Sequence, residues 1–253
     1  MRFEREGSLA RVVIDRPLRR NALTPGMYFG IRRAVDHVNA SSSLAALVIT
    51  GKGDVFAPGG EMGGQIDDDG GVGGLIGSEI TPFESIRRSR KPVISMVNGL
   101  CQGGGLLIAM MSDVAVASDR ATFRVPELLR GVADTNYATF LVPTVGIARA
   151  RDLIFTARRF DAAEAHAIGL IAHVVPHDEL ETATREVVTD VLQCAPDARM
   201  QLKRIVNSAY GHVDRMTFDA SIWGPETAEG FTAFVEKRAP AWIPEDFRRP
   251  GRL

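Results

Sequence analysis

Apolar residues recur along this chain in compact runs of strand length, separated by stretches with helical spacing. Residues 12–14, 46–50, 93–97 and 114–117 form the compact runs, and Asp15-Arg16-Pro17 closes the first. Thr24-Pro25 has the form of a helix N-cap followed by proline at the first helical position. Ile31, Ala34, Val35 and Val38 then give that helix one apolar face. Strands alternating with helices predict a parallel or mixed sheet with crossover helices. From Thr135 onward the pattern is mainly helical. Asp161-Ala162-Ala163-Glu164 reads as a capping box and Gly169 as the helix stop. Residues 174–175, followed by Pro176, read as a short strand, and helices are predicted over 179–192, 199–209 and 226–238. No internal repeat is visible. The pattern divides the chain into an α/β core over residues 1–195 and a helical region over 196–253.

Residues 59–77 break both periodicities. They are dense in glycine and interrupted by Asp67-Asp68-Asp69, which predicts a loop over a binding site or a surface insertion without a role.

At 253 residues the chain makes one large or two small domains, with ample apolar content for a core. The formal charge of −1, with no basic stripe, gives nucleic-acid binding no electrostatic support. Cys101 and Cys194 lie far apart, without metal-ligand spacing, so neither a zinc site nor a disulfide scaffold is expected. The charged first residues lack the apolar core of a signal peptide, and no apolar run approaches membrane-spanning length. A soluble cytoplasmic protein is the expectation.

Two glycine-bearing segments carry the candidate chemistry: Phe56-Ala57-Pro58-Gly59-Gly60-Glu61 and Asn98-Gly99-Leu100-Cys101-Gln102-Gly103-Gly104-Gly105. Each follows an apolar strand-like run, and the second leads into the apolar stretch 106–111. Bare N–H groups beside a strand end and at a helix N-terminus can hold an oxygen that becomes negative during reaction. The alternative is a pair of tight turns.

These segments, with the motifs around them, resemble the enoyl-CoA hydratase/isomerase (crotonase) superfamily. The resemblance runs through Arg16-Pro17 with Asn21-Ala22-Leu23, then Lys91-Pro92-Val93-Ile94, Ser112-Asp113-Val114, and Phe123 with Pro126-Glu127. It continues through Ala163-Glu164-Ala165 with Gly169-Leu170, and ends in Glu229-Gly230-Phe231, Ala233-Phe234 and Glu236-Lys237-Arg238. It implies an α/β crotonase-like (ClpP/crotonase) spiral of ββα units with a C-terminal helical trimerisation region, assembled as a homotrimer or a dimer of trimers. It further implies an acyl-CoA thioester as ligand, with no metal and no cofactor beyond the coenzyme A of the substrate. By position, the N–H groups of Gly60 and Gly104 would form the oxyanion hole. Ala22, Phe56, Ala57, Glu61, Met62 and Leu107 would contact substrate, and Arg19, Arg20 and Lys237 would meet the phosphates of coenzyme A.

A hydratase of this family splits water between two glutamates. The first position here is Leu107, which can neither accept a hydrogen bond nor move a proton. The second, Glu127, is intact. One carboxylate suffices for a 1,3-proton shift if apolar surroundings raise its pKa, with Leu107, Phe123 and Leu128 as the expected wall. The family's enoyl-CoA isomerases resemble this arrangement. Asp134 falls near where several relatives carry a catalytic aspartate, and it equally suits the N-cap of a following helix. The dehalogenase branch is disfavoured, because no histidine lies between His37 and His166. His166, His173 and His177 read as surface or loop residues. The expectation is therefore an enoyl-CoA isomerase working through Gly60, Gly104, Glu127 and Asp134. The alternatives are an enoyl-CoA hydratase, a non-catalytic acyl-CoA-binding member of the fold, and an RNA-binding member that the balanced charge disfavours.

Overall fold

The computed structural model describes residues 1–61 and 81–248. Met62 and most of the predicted 59–77 loop lie outside the described residues.

The apolar runs become the centre of a six-stranded sheet. Its strands are β1 (Arg2–Glu6), β2 (Leu9–Ile14), β3 (Ala46–Gly51), β5 (Val93–Val97), β7 (Val114–Ser118) and β10 (His173–Val175), side by side in that order. β1 pairs antiparallel with β2 and the remaining pairs are parallel. Every residue of β5 and nearly all of β3 are buried, as continuous apolar strands covered on both faces must be. One face packs on α7 (Leu180–Gln193) through Ala46, Val48, Ile94, Met96 and Val116 against Leu180 and Val188. The other face joins the main core.

A second sheet was not legible from periodicity, because each of its strands is three residues long. It comprises β4 (Val55–Ala57), β6 (Leu100–Gln102), β8 (Thr122–Arg124) and β9 (Arg159–Asp161). β4, β6 and β8 run parallel, with Ala57 beside Cys101 and Cys101 beside Phe123. β9 closes the sheet antiparallel, and Phe160 stacks on Phe123 at 5.6 Å.

α1 (Pro25–Ala40) begins where predicted: the Thr24 side chain accepts from the Met27 N–H, and Met27, Tyr28, Ile31, Ala34, Val35 and Val38 are buried. The short α2 (Phe83–Arg87) precedes β5, and α3 (Gly104–Met111) follows β6. α4 (Thr135–Val145) and α5 (Ile147–Thr156) come next, and α6 (Ala162–Ala167) is capped by Asp161 accepting from the Glu164 N–H. The C-terminal region holds α8 (Pro196–Asn207), α9 (Arg215–Ile222) and α10 (Pro225–Val235). α8 starts three residues before the predicted 199, because Pro196 occupies its first turn. α10 ends at Val235 rather than 238, where Lys237 takes a left-handed φ of 55°. No helix among the described residues is long and apolar enough to cross a membrane.

Candidate active site

Three neighbouring parallel strands of the second sheet end side by side, and each delivers one element of the site. β4 runs into Pro58-Gly59-Gly60, β6 into Gly103-Gly104, and β8 towards Pro126-Glu127. Gly60, Gly104, Glu127 and Asp134 line one cavity of about 120 Å³ together with Tyr28, Phe83, Val132, Phe218, Ile222 and Phe231. The two glycine segments, distant in sequence, are thus brought together by strand order.

Buried asparagines hold the first segment in place. Asn21 donates through Nδ2 to the carbonyls of Val55 and Lys52, at 2.7 and 3.0 Å. Asn98 accepts from the Gly51 N–H at 3.1 Å and donates to the Gly53 carbonyl. The turn into β4 therefore has its polar groups satisfied by side chains, as a buried irregular segment requires. Beyond β4, the Leu23 N–H donates to the Gly59 carbonyl and the Glu61 N–H to the Leu23 carbonyl, both at 2.9 Å. This pairing leaves the Gly60 N–H between them without an acceptor among the described residues.

The second segment is oriented by the helix it starts. The Gly103 carbonyl accepts from the Leu107 N–H at 3.1 Å and from the Tyr137 hydroxyl at 2.7 Å. In a planar trans peptide the N–H of Gly104 points opposite to that carbonyl, out from the first turn of α3. Glycine is required for the close approach: a Cβ on Gly59, where φ is +102°, would lie 3.3 Å from the Gly104 nitrogen. On Gly105 it would lie 2.3 Å from the Ala57 carbonyl oxygen.

Glu127 opens a short 3₁₀ turn (Glu127–Arg130) closed by Gly131 in the left-handed region. Its Oε2 is buried with no hydrogen-bond partner among the described residues, and its Oε1 sits 3.0 Å from where a Cβ on Gly103 would be. Burial pushes its pKa well above the usual carboxylate range, and the neighbouring Asp134 charge raises it further. Asp134 caps α4: its Oδ1 accepts from the Asn136 N–H at 2.9 Å and from Asn136 Nδ2 at 2.7 Å. Burial pushes its pKa up to about 6, against the two Asn136 hydrogen bonds that favour the carboxylate. Asp134 is thus a helix cap and a cavity-lining carboxyl at once. The carboxyl of Glu127 and the bare N–H groups of Gly60 and Gly104 can together remove a proton beside an oxygen that gains charge.

The other expected site residues divide. Glu61 lines the cavity, but its carboxylate is tied to Arg16 at 2.9 Å, with Arg19 at 3.8 Å. Phe56 and Ala57 are fully buried in the core beneath the site, and the Ala22 carbonyl accepts from Arg16 at 3.3 Å. Leu107 is fully buried in the main core and does not line the cavity. The expected apolar wall of Leu107, Phe123 and Leu128 is corrected: Leu107 and Phe123 are buried in the core behind the cavity, and Leu128 is turned outward and exposed, while the same 3₁₀ turn buries Arg130. Phe83, Val132, Phe218, Ile222 and Phe231 supply the apolar surface around the carboxyls. Arg19, Arg20 and Lys237 are exposed, away from the cavity lining. His166, His173 and His177 take no part in it: His166 faces the Ile171 carbonyl and His177 the Ser118 hydroxyl.

Tyr28 was missed by the reading of sequence. It precedes Ile31 by three residues on the apolar face of α1, and a tyrosine at such a position is the signal that could have flagged it.

The family model described as enoyl-CoA hydratase/isomerase matches residues 4–245. A probable enoyl-CoA hydratase of Mycobacterium bovis is 32% identical over 245 residues, covering 94% of this chain and 95% of the relative. A short-chain-enoyl-CoA hydratase of Clostridium acetobutylicum is 32% identical over 248 residues, covering 93% and 94%. Among solved structures, an enoyl-CoA hydratase/isomerase from Pseudoalteromonas atlantica superposes with a TM-score of 0.84 at 27% identity, covering 96% of this chain and 99% of that one. With the family model and these relatives matching nearly the whole length, the chain has the crotonase fold and belongs to the enoyl-CoA hydratase/isomerase family, as an acyl-CoA enzyme.

Proposed function

We propose that the protein shifts the double bond of an enoyl-CoA, with Glu127 carrying the proton between C2 and C4 of the acyl chain. The observation that carries this reading is the buried Oε2 of Glu127, without a partner among the described residues, in a cavity that Gly60 and Gly104 also line. The two N–H groups stabilise the thioester oxygen as the C2 proton leaves and an enolate forms. Loss of one such donor costs about 3–4 kcal/mol of transition-state stabilisation. Glu127 then returns the proton to the other end of the conjugated system. Its raised pKa suits both halves of the task, since a carboxylate with a low pKa would be a poor base and a slow donor. Leu107 leaves the hydratase's first glutamate position without a proton-accepting group.

A second reading, hydration, is favoured by Asp134. It places a second carboxyl in the cavity, and relatives such as those of Mycobacterium bovis and Clostridium acetobutylicum bear the name enoyl-CoA hydratase. One experiment separates the readings: the protein is incubated with a 3-enoyl-CoA and, separately, with crotonyl-CoA, and absorbance of the conjugated 2-enoyl thioester is followed. A rise with the first substrate and no fall with the second supports isomerisation. Rapid loss of crotonyl-CoA absorbance means that Glu127 and Asp134 hold water together. Tight binding of both without turnover identifies a binding module.

In this reading coenzyme A belongs to the substrate, no further cofactor is needed, and Arg19 and Lys237 on the exposed surface meet its phosphates. A homotrimer or a dimer of trimers is proposed through the 196–253 region. Leu202, Ile205 and Val206 on α8, together with Met216 and Trp223, are apolar and exposed in the single chain.

A further inference from the structure

We propose that Tyr28 is a third hydrogen-bond donor of the site, its phenolic O–H reaching the thioester oxygen beside the N–H groups of Gly60 and Gly104. This rests on the enolate reading given above and adds a catalytic residue to it.

The geometry starts at Gly104. A Cβ built there would lie 1.9 Å from the Tyr28 hydroxyl oxygen and 2.8 Å from its Cζ. The hydroxyl therefore rests against the α-carbon of Gly104, and both residues line the same cavity. Glycine at 104 makes room for the phenol as well as for substrate.

The ring is held before any ligand arrives. Tyr28 is 3% exposed on α1, and its ring meets Phe83 edge to face, with centroids 6.1 Å apart and planes at 79°. The hydroxyl has no hydrogen-bond partner among the described residues, although tyrosine hydroxyls in such settings usually find one. The other buried tyrosine nearby follows that rule, since Tyr137 donates to the Gly103 carbonyl. Tyr28 lines the cavity, and no described residue accepts from its hydroxyl.

The surrounding charges decide whether it donates or accepts a proton. Burial, with Glu127 and Asp134 facing the same cavity, raises the Tyr28 pKa above its ordinary value. The phenol stays protonated through the working range and serves as a donor, while proton transfer remains with the carboxyls. A donor fixed by packing needs no reorganisation as the oxygen gains charge, which is the condition under which such groups accelerate a reaction. No bond to Tyr28 is made or broken.

Tyr28→Phe removes one oxygen and keeps the ring contact with Phe83. Three measurements are made on the full chain. Turnover of a 3-enoyl-CoA is expected to fall by about 10- to 100-fold in kcat, with little change in KM. Acetoacetyl-CoA serves as the second probe, because its acidic C2 proton gives an enolate visible in the near ultraviolet. The pH at which the bound enolate forms is expected to rise by about one unit in the variant, equivalent to a tenfold loss of enolate stabilisation. The third probe, butyryl-CoA, presents the same thioester oxygen without the developing charge, and its affinity is expected to fall much less than the enolate is destabilised. An unchanged kcat and enolate titration in Tyr28→Phe overturn the role of Tyr28 alone. A loss of butyryl-CoA binding as large as the loss of enolate stabilisation assigns Tyr28 to packing and also overturns it. If the wild-type protein fails to lower the enolisation pH of acetoacetyl-CoA, the enolate reading falls and the proposal falls with it.

Discussion

Asp134→Asn separates the helix-capping role of this residue from its charge. Asparagine caps as well as aspartate, and its side-chain carbonyl can keep the hydrogen bonds from the Asn136 N–H and Nδ2, now 2.9 and 2.7 Å. What the substitution removes is a carboxyl whose pKa rises from 3.8 to about 6 on folding. Between those values the folded protein holds a proton that the unfolded chain has released, so this group's contribution to stability falls as pH rises through that window. The difference corresponds to about 3 kcal/mol, present as destabilisation of the native protein above pH 6 and absent below pH 3.8. Asp134→Asn is therefore expected to be more stable than the native protein at pH 8, by up to about 3 kcal/mol, and equal to it near pH 4. Urea unfolding midpoints at the two pH values measure this. Activity supplies a second readout. The Asp134 charge helps to raise the Glu127 pKa, so its removal moves the acid limb of kcat/KM for 3-enoyl-CoA isomerisation to lower pH. Equal stability differences at both pH values would refute the buried-carboxyl argument. A well-folded Asp134→Asn protein without activity at any pH would transfer the proton chemistry from Glu127 to Asp134.

Glu127→Gln keeps the shape of the side chain but cannot take a proton, so isomerisation is expected to fall by a factor of ~10² or more, measured with folding verified by circular dichroism. Near-normal turnover would remove Glu127 from the mechanism. Gly104→Ala keeps the backbone N–H but drives a methyl group into the Tyr28 hydroxyl 1.9 Å away. Its kcat is expected to drop on the order of 10- to 100-fold with the fold retained, and native activity would show that the phenol is free to move. Gly230→Ala would bring a Cβ to 2.4 Å from the Arg130 carbonyl oxygen and push α10 off the turn that carries Glu127. A loss of about 1–3 kcal/mol in denaturant unfolding, together with reduced activity, is the expected result.

Local rules carried a large part of this structure. The apolar runs at 46–50 and 93–97 became β3 and β5, because continuous burial leaves a strand few alternatives. Thr24 and Asp161 cap the helices they were expected to cap, since an Asp or Thr side chain satisfies an orphan N–H wherever the helix begins. Both glycine segments were visible as candidates because bare backbone N–H groups demand glycine, and Glu127 was visible through the family resemblance. The three-residue strands of the second sheet were not visible, as two or three apolar side chains do not define a period. Only tertiary structure aligned the ends of β4, β6 and β8, and so placed Gly60, Gly104 and Glu127 around one cavity. It alone turned Leu128 outward and brought Phe218, Ile222 and Phe231 from the C-terminal helices over the carboxyls. It also set the Tyr28 hydroxyl against Gly104. Residue type fixes what a group can do, whereas the pKa of Glu127 and the reach of Tyr28 depend on neighbours far away in the chain, which only packing supplies.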